Sequence, residues 1–171
     1  MRVTPEGLAL IHGSEGCRLL AYDDNGNEPG GTISIGWGTT RYPPWHPIRP
    51  NGRVQLGDIC TREQANDWFI YDLERFERSV DALTVDGLLP RQNDALVSLT
   101  YNIGEPAYRD STVRRRVNAN PFDPTIREAF MRFHYQDGRP IKGLWLRRHR
   151  ESDHYMGVST PCPPFPHLRA A

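Results

Sequence analysis

From Thr61 the chain reads "TREQANDWFIYDLERFERSVDAL", and its apolar residues Ala65, Trp68, Phe69, Leu73, Phe76, Val80 and Leu83 return every three or four positions. That spacing describes one face of an α-helix of about six turns. Thr61 followed by Gln64 supplies a capping box at its start. A long helix with one apolar stripe needs other elements to cover it. A second helix is expected from about Pro90, with Ala95, Leu96, Leu99 and Ile103 inward and Gly104 as its stop. Two more are expected near Ser111 and near Asp123 and Pro124, and a last one carries Leu144, Arg147, Arg148 and Glu151. Ahead of them, Thr4 can cap a short helix with Pro5 at its first position and Leu8 and Ile11 as its stripe, stopped by Gly13 and Gly16. "CRLLAY" and "TISIGWGTT" read as strands, joined by the turn "DDNGNEPGG". One helix, a small antiparallel sheet and then a run of helices make an α+β order that is mainly helical.

Composition narrows the function classes. The 21 Lys and Arg balance 21 Asp and Glu, so net charge calls for neither nucleic acid nor an acidic partner. The Arg run in "VRRRV" at 113–117 fans out around a helix and reads as a solvated face. No apolar run approaches the ~20 residues of a membrane span, so no stable membrane insertion is expected. The N-terminal "MRVTPEGLALIHGSEG" is too polar for a secretory signal. Cys17, Cys60 and Cys162 are scattered, odd in number and without metal spacing, which fits free thiols in a reducing cytosol. "RYPPWHPIRPNGRVQLGD" is a Pro- and Gly-rich connector expected on the surface, and "STPCPPFPHLRAA" an irregular tail. No internal repeat is found. A single domain is expected over 1–157, with a sheet lobe over about 17–56 and a helical lobe over about 60–157, followed by a Pro-rich tail at 158–171.

The first strand pair carries the chemistry. Alternation along "TISIGWG" sends Thr32, Ser34, Gly36 and Gly38 to one face and Ile33, Ile35 and Trp37 to the other. The first face has almost no side-chain volume, a pattern that suits close approach of a ligand to the backbone. Glu15 sits at the end of the first helix, and Asp24 in the turn leading back to this strand. Folding the hairpin against that helix end would gather two carboxylates and a hydroxyl, the groups that glycoside hydrolysis needs. "DDNGN" is ordinary turn chemistry rather than a calcium loop, because its glycine is two places early and the terminal Glu is absent. No metal or other cofactor is expected.

"EGCRLLAYDD" followed by "SIGWGTT" resembles the phage lysozymes of glycoside hydrolase family 24, the T-even-phage type of endolysin. Glu15, Gly16, Leu19, Tyr22 and Asp24 match the first part of the family signature, and Ile35, Gly36, Gly38 and Thr40 the second. "TREQANDWFIYDL", "QNDALVSLTYNIG", "DSTVRRRVN" and "GLWLRRHRE" continue the resemblance in order over about residues 5–157. It implies a lysozyme-like fold. It also implies that Glu15 is the general acid and that Asp24 positions water or stabilises positive charge. Ser34 takes the place of the family's catalytic Thr, with Thr32 as the competing hydroxyl. Thr32, Tyr101, Asn102, Thr112 and Arg148 are implied substrate contacts. Arg147 or Arg148 is expected to pair with Glu15. The family's usual His falls on Thr39, so its ion pair with Asp72 is lost and Asp72 needs another partner. The turn between Asp24 and Ser34 is longer than in the family.

The implied activity is a muramidase that cuts the β-1,4 bond between N-acetylmuramic acid and N-acetylglucosamine in bacterial peptidoglycan. A lytic transglycosylase on the same fold and a silent wall-binding module are the alternatives. Asp24 and Ser34 favour hydrolysis, since a transglycosylase has no use for a water-positioning pair. The resemblance further implies a monomer held in the host cytoplasm, dependent on a holin to reach the wall.

Overall fold

The computed structural model describes residues 1–24 and 31–165. The elements are α1 (Pro5–His12), β1 (Arg18–Asp23), β2 (Ile33–Gly36), α2 (Arg62–Leu83), α3 (Pro90–Ile103), α4 (Glu105–Arg109), α5 (Thr112–Ala119), α6 (Ile126–Met131), a small hairpin of β3 (Tyr135–Gln136) and β4 (Arg139–Pro140), and α7 (Lys142–Met156). Two compact units emerge: Glu15–Arg75, and Met1–Ser14 together with Phe76–Ala171.

Local signals set most helix starts. Thr4 Oγ1 accepts the Gly7 N–H at 3.2 Å, with Pro5 in the first turn of α1. At α2 the reciprocal cap forms: Thr61 Oγ1 accepts the Gln64 N–H at 3.1 Å and Gln64 Oε1 accepts the Thr61 N–H at 2.9 Å. Ser111 caps α5 through the Arg114 N–H. The α2 stripe is buried from Ala65 to Val80, while Leu83 and, on α3, Ile103 are only half-buried. Two elements carry no periodic signal in the sequence: the five-residue α4 and the β3–β4 hairpin. Both are too short for a periodic pattern to develop.

In the helical unit α3 packs on α7 and α1, and α6 packs on α7. Its interior holds Ile11, Val80, Leu96, Leu99, Tyr108, Ile126, Phe130 and Tyr155. Asp94 of α3, almost fully buried, accepts the Thr4 N–H at 2.9 Å and its hydroxyl at 2.6 Å, and lies 3.2 Å from His154 Nε2. Burial opposes its ionisation, but the bonds from His154 and Thr4 outweigh burial, and the carboxyl stays below the usual range. Residues 158–165 are irregular and fastened to α7: Thr160 donates to Asp153, and Trp145 Nε1 to the Pro163 carbonyl.

In the sheet unit β1 and β2 are antiparallel, with a bulge between Arg18 and Tyr22 that sets Tyr22 opposite Ser34. Ala21, Ile35, Tyr42, Val54, Cys60, Ala65 and Trp68 form its core. The expected strand over 32–40 is corrected to Ile33–Gly36. Beyond it the chain folds back at once, with Ile35 and Thr39 exchanging two backbone bonds of 2.9 and 3.0 Å. Gly36 and Gly38 have φ of 65° and 110°, which L side chains rarely adopt. A Cβ on Gly36 would also come within 2.9 Å of the Ala65 Cβ. The glycines thus serve a tight turn against α2, and the row of small residues expected to admit a ligand is not a flat strand face. Most of the expected "DDNGNEPGG" turn, from Asn25 to Gly30, lies outside the described residues, as does the tail from Pro166.

Thr39 itself supplies the partner for Asp72, its hydroxyl donating at 2.9 Å. A hydroxyl brings no positive charge. Burial therefore pushes Asp72 up to about 6, against the smaller lowering by Thr39 and Arg75. A folded-state value above that of the unfolded chain means stability is lost as pH rises through the range from about 4 to about 6. The ionised group then costs on the order of 3 kcal/mol at neutral pH. Asp72→Asn keeps an acceptor for Thr39 and removes the charge. Thermal denaturation should show a higher Tm for the variant at pH 7.5 and no gain at pH 4; an equal gain at both would refute the assignment.

Candidate active site

Glu15, Asp24 and Ser34 all belong to the sheet unit, within its first twenty residues. Glu15 is half-buried and follows the terminus of α1, which Gly13 ends by donating to the Ala9 carbonyl. The bulge in β1 governs Asp24. With Tyr22 opposite Ser34 and Asp23 opposite Ile33, the Asp24 N–H reaches the Thr32 carbonyl at 3.1 Å. The carboxylate then turns back over the strand pair, and Ser34 Oγ donates to Asp24 Oδ2 at 2.6 Å. A short bond from a neutral hydroxyl to a carboxylate is charge-assisted and fixes both groups. Ser34 is 1% exposed, whereas Asp24 and Thr32 are exposed. Because the Ser34 proton is committed to Asp24, its lone pairs are left to accept a proton from a third group. The longer turn noted in the sequence does not separate the two, since the bulge and the Asp24 to Thr32 bond bring them together.

Tyr22, a motif residue in the sequence, sits among the charges of the site. Its phenol is raised, first by burial, then by the Asp24 carboxylate and, least, by Glu15, against Arg18. The Arg18 guanidinium lies 4.4 Å from the Tyr22 ring centre. Strand alternation could have revealed this, because residues 18, 20, 22 and 24 share one side of a strand. The bulge between Arg18 and Tyr22 was invisible in sequence.

The remaining expected contacts lie in the helical unit. Tyr101 meets Phe76 edge-on with centroids 5.1 Å apart, and Asn102 is exposed. Thr112 Oγ1 accepts from Arg115 at 2.8 Å. Arg148 is fully buried, with Nε 2.9 Å from Glu151, and Arg147 pairs with the same carboxylate at 3.0 Å. Two of the "VRRRV" arginines are engaged locally: Arg115 donates to the Asp110 carbonyl at 2.8 Å and Arg116 to that of Thr125. Among the described residues no group of three or more His, Cys, Asp or Glu is placed to hold a metal ion.

The phage lysozyme family profile matches residues 12–151, a stretch that contains Glu15, Asp24 and Ser34. The chain belongs to the phage lysozyme family. The endolysin of Salmonella phage P22 is 31% identical over 152 residues, 88% of this chain and 95% of that protein. The solved endolysin from Escherichia coli O157:H7 phage FAHEc1 superposes with a TM-score of 0.77 at 32% identity, covering 94% of this chain and 97% of that one. The muramidase domain of SpmX from Asticaccaulis excentricus gives 0.74 at 28% identity, covering 94% and 99%. This phage lysozyme is a glycoside hydrolase of the endolysin kind, mainly helical with a small antiparallel sheet, that acts on the bacterial wall.

The geometry ranks the two hydroxyls of this lysozyme. Ser34→Ala removes the bond to Asp24, whereas Thr32→Ala removes an exposed hydroxyl and leaves the Thr32 carbonyl in place. Wall-clearing rates of purified variants should fall by at least about tenfold more for Ser34→Ala, the scale of losing one charged hydrogen bond. The reverse order at equal Tm would move the site to Thr32.

Proposed function

We propose that this lysozyme hydrolyses the β-1,4 bond between N-acetylmuramic acid and N-acetylglucosamine, with Glu15 as general acid. Glu15 protonates the leaving glycosidic oxygen. Asp24 and Ser34 act together, Asp24 stabilising positive charge at the sugar and Ser34 orienting the water that attacks it. The observation that carries this reading is the 2.6 Å bond between Ser34 and Asp24. A water-orienting pair serves hydrolysis and has no part in forming an anhydro sugar. Thr32, Tyr101, Asn102 and Thr112 are proposed contacts to the glycan strand; Arg148, expected among them, is fully buried and offers no surface to it, and Arg147 or Arg148 is the proposed cation for Glu15.

Glu15→Gln keeps the shape of the side chain and removes its proton. Turbidity clearing of purified cell walls should slow by at least ~100-fold, the scale of general acid catalysis. Mass spectrometry of the parent's digest should find reducing muramic ends; anhydro ends would replace hydrolysis with transglycosylation. Clearing by Glu15→Gln at the parent's rate would remove Glu15 from the mechanism.

Among the described residues no helix is long and apolar enough to cross a membrane. From the kinship with endolysins we propose a monomer that collects in the host cytoplasm and meets the wall only after a holin opens the membrane. Expressed alone in a Gram-negative host, it should accumulate without lysis, and a permeabilising agent should then trigger abrupt lysis. Glu15→Gln should accumulate equally and lyse nothing. Spontaneous lysis, with the protein in the periplasm of intact cells, would mean it has an export route of its own.

A further inference from the structure

The connector after the turn at Gly36 to Gly38 is fixed more firmly than a linker requires. Tyr42 N–H donates to Gly52 at 2.8 Å and Val54 N–H to Thr40 at 3.0 Å, closing residues 40–54 into one loop. Inside it Tyr42 is buried, stacked on His46 at 3.9 Å and edge-on to Trp68 at 5.0 Å. Asp58 binds the loop from below. It accepts both terminal nitrogens of Arg49 at 2.7 and 2.6 Å, the Tyr42 hydroxyl at 2.7 Å and the Gln55 N–H at 2.8 Å. Four prolines, Pro43, Pro44, Pro47 and Pro50, restrict what remains.

This anchored loop displays exposed groups that its own anchoring leaves open to a partner, although Arg41 Nη1 also donates to the Asn51 carbonyl at 2.6 Å. Trp45 is 58% exposed and held edge-on by Tyr71 at 4.8 Å; Ile48 is 80% exposed. Arg41 and Arg53 are directly opposed across the loop's base, both exposed. The bonds on either side make theirs a non-hydrogen-bonded pair, where side chains stand closest and like charges destabilise. Neither makes an ion pair among the described residues. A pre-ordered indole beside two uncompensated cations suits a partner with an apolar face and negative charges.

We propose that the loop of residues 40–54 is a second wall-contact surface, in which Trp45 stacks on an amino-sugar ring and Arg41 and Arg53 take carboxylates of the stem peptides on the same strand. The inference rests on the muramidase reading for the identity of the strand. A sugar ring offers its axial C–H face to the indole, and a stem peptide ends in carboxylates that guanidinium groups bind in pairs. An anionic lipid surface is the poorer match, because electrostatic attachment there takes roughly four to eight Lys or Arg, and this loop has three, of which Arg49 is already paired with Asp58.

Binding is measured by co-sedimentation with purified peptidoglycan sacculi in the Glu15→Gln background, so turnover plays no part. Failure here leaves the catalytic reading standing, and failure of that reading leaves the binding result standing. Trp45→Ala should weaken binding about tenfold, the loss expected of an aromatic anchor, and Trp45→Phe should restore most of it. The double change Arg41→Gln with Arg53→Gln should weaken binding by a similar factor and flatten its salt dependence. All are checked for a Tm near that of the parent. If Trp45→Ala does not fold, Trp45→Phe and the two exposed arginines decide the matter alone. Parent-level binding by the arginine double variant and by every folded Trp45 variant would overturn the proposal. So would loss of binding to phosphatidylglycerol vesicles with sacculus binding unchanged.

Discussion

Glu151 has no access to water, and the helical unit is assembled around that fact. A buried carboxylate is tolerated only with opposite charge and hydrogen bonds at hand. Arg147 and Arg148 supply the charge from the same helix at 3.0 and 2.9 Å, and Ser98 of α3 donates at 2.6 Å. Removing one partner of such a group costs roughly 3 to 5 kcal/mol, since the rest is left buried and uncompensated. Apolar packing alone would let α7 slide or rotate on α3; the charges fix one register.

The same helix carries a second polar anchor one turn earlier. Asp94 and Ser98 lie four apart on α3, hence on one side of it. Asp94 collects the start of α1 through Thr4 and the end of α7 through His154. Gly7 of α1 is part of this arrangement, as a Cβ there would meet the Asp94 carboxyl at 2.5 Å. Three helices are thus positioned by two polar residues of a fourteen-residue helix.

The sheet unit relies on carboxylates too, with unequal partners. Asp58 has a guanidinium, a phenol and a backbone donor, and it ionises well below the usual range at about 2, chiefly because of Arg49. Asp72 has a hydroxyl and only a weaker influence from Arg75, and it lies well above that range. Asp24 shares its hydroxyl bond with Ser34 at the surface. Each carboxylate therefore has a distinct electrostatic setting within sixty residues of chain. That diversity separates the half-buried groups that hold the loop and the helix from the exposed carboxylate proposed to act on substrate.

Periodicity and caps were local, so they were legible. The stripe from Ala65 to Val80, the box at Thr61 and Gln64, and the stops at Gly13 and Gly104 depend on neighbours within a turn. Glu15, Asp24 and Ser34 were legible as a motif, because their residue types and spacing survive without coordinates. The strand expected over 32–40 failed because alternation says nothing about φ, and only contact with Ala65 explains why Gly36 must turn there. Partners far apart in the chain were equally out of reach: Thr39 with Asp72, Arg49 with Asp58, Ser98 with Glu151. The sequence by itself determined the longer helices, their order and the candidate residues Glu15, Asp24 and Ser34, since caps, stripes and motif spacing rest on short-range geometry. Tertiary structure alone decided which hydroxyl meets Asp24 and which charges are buried together, because hydrogen bonding and desolvation depend on atoms that only folding brings within 3 Å.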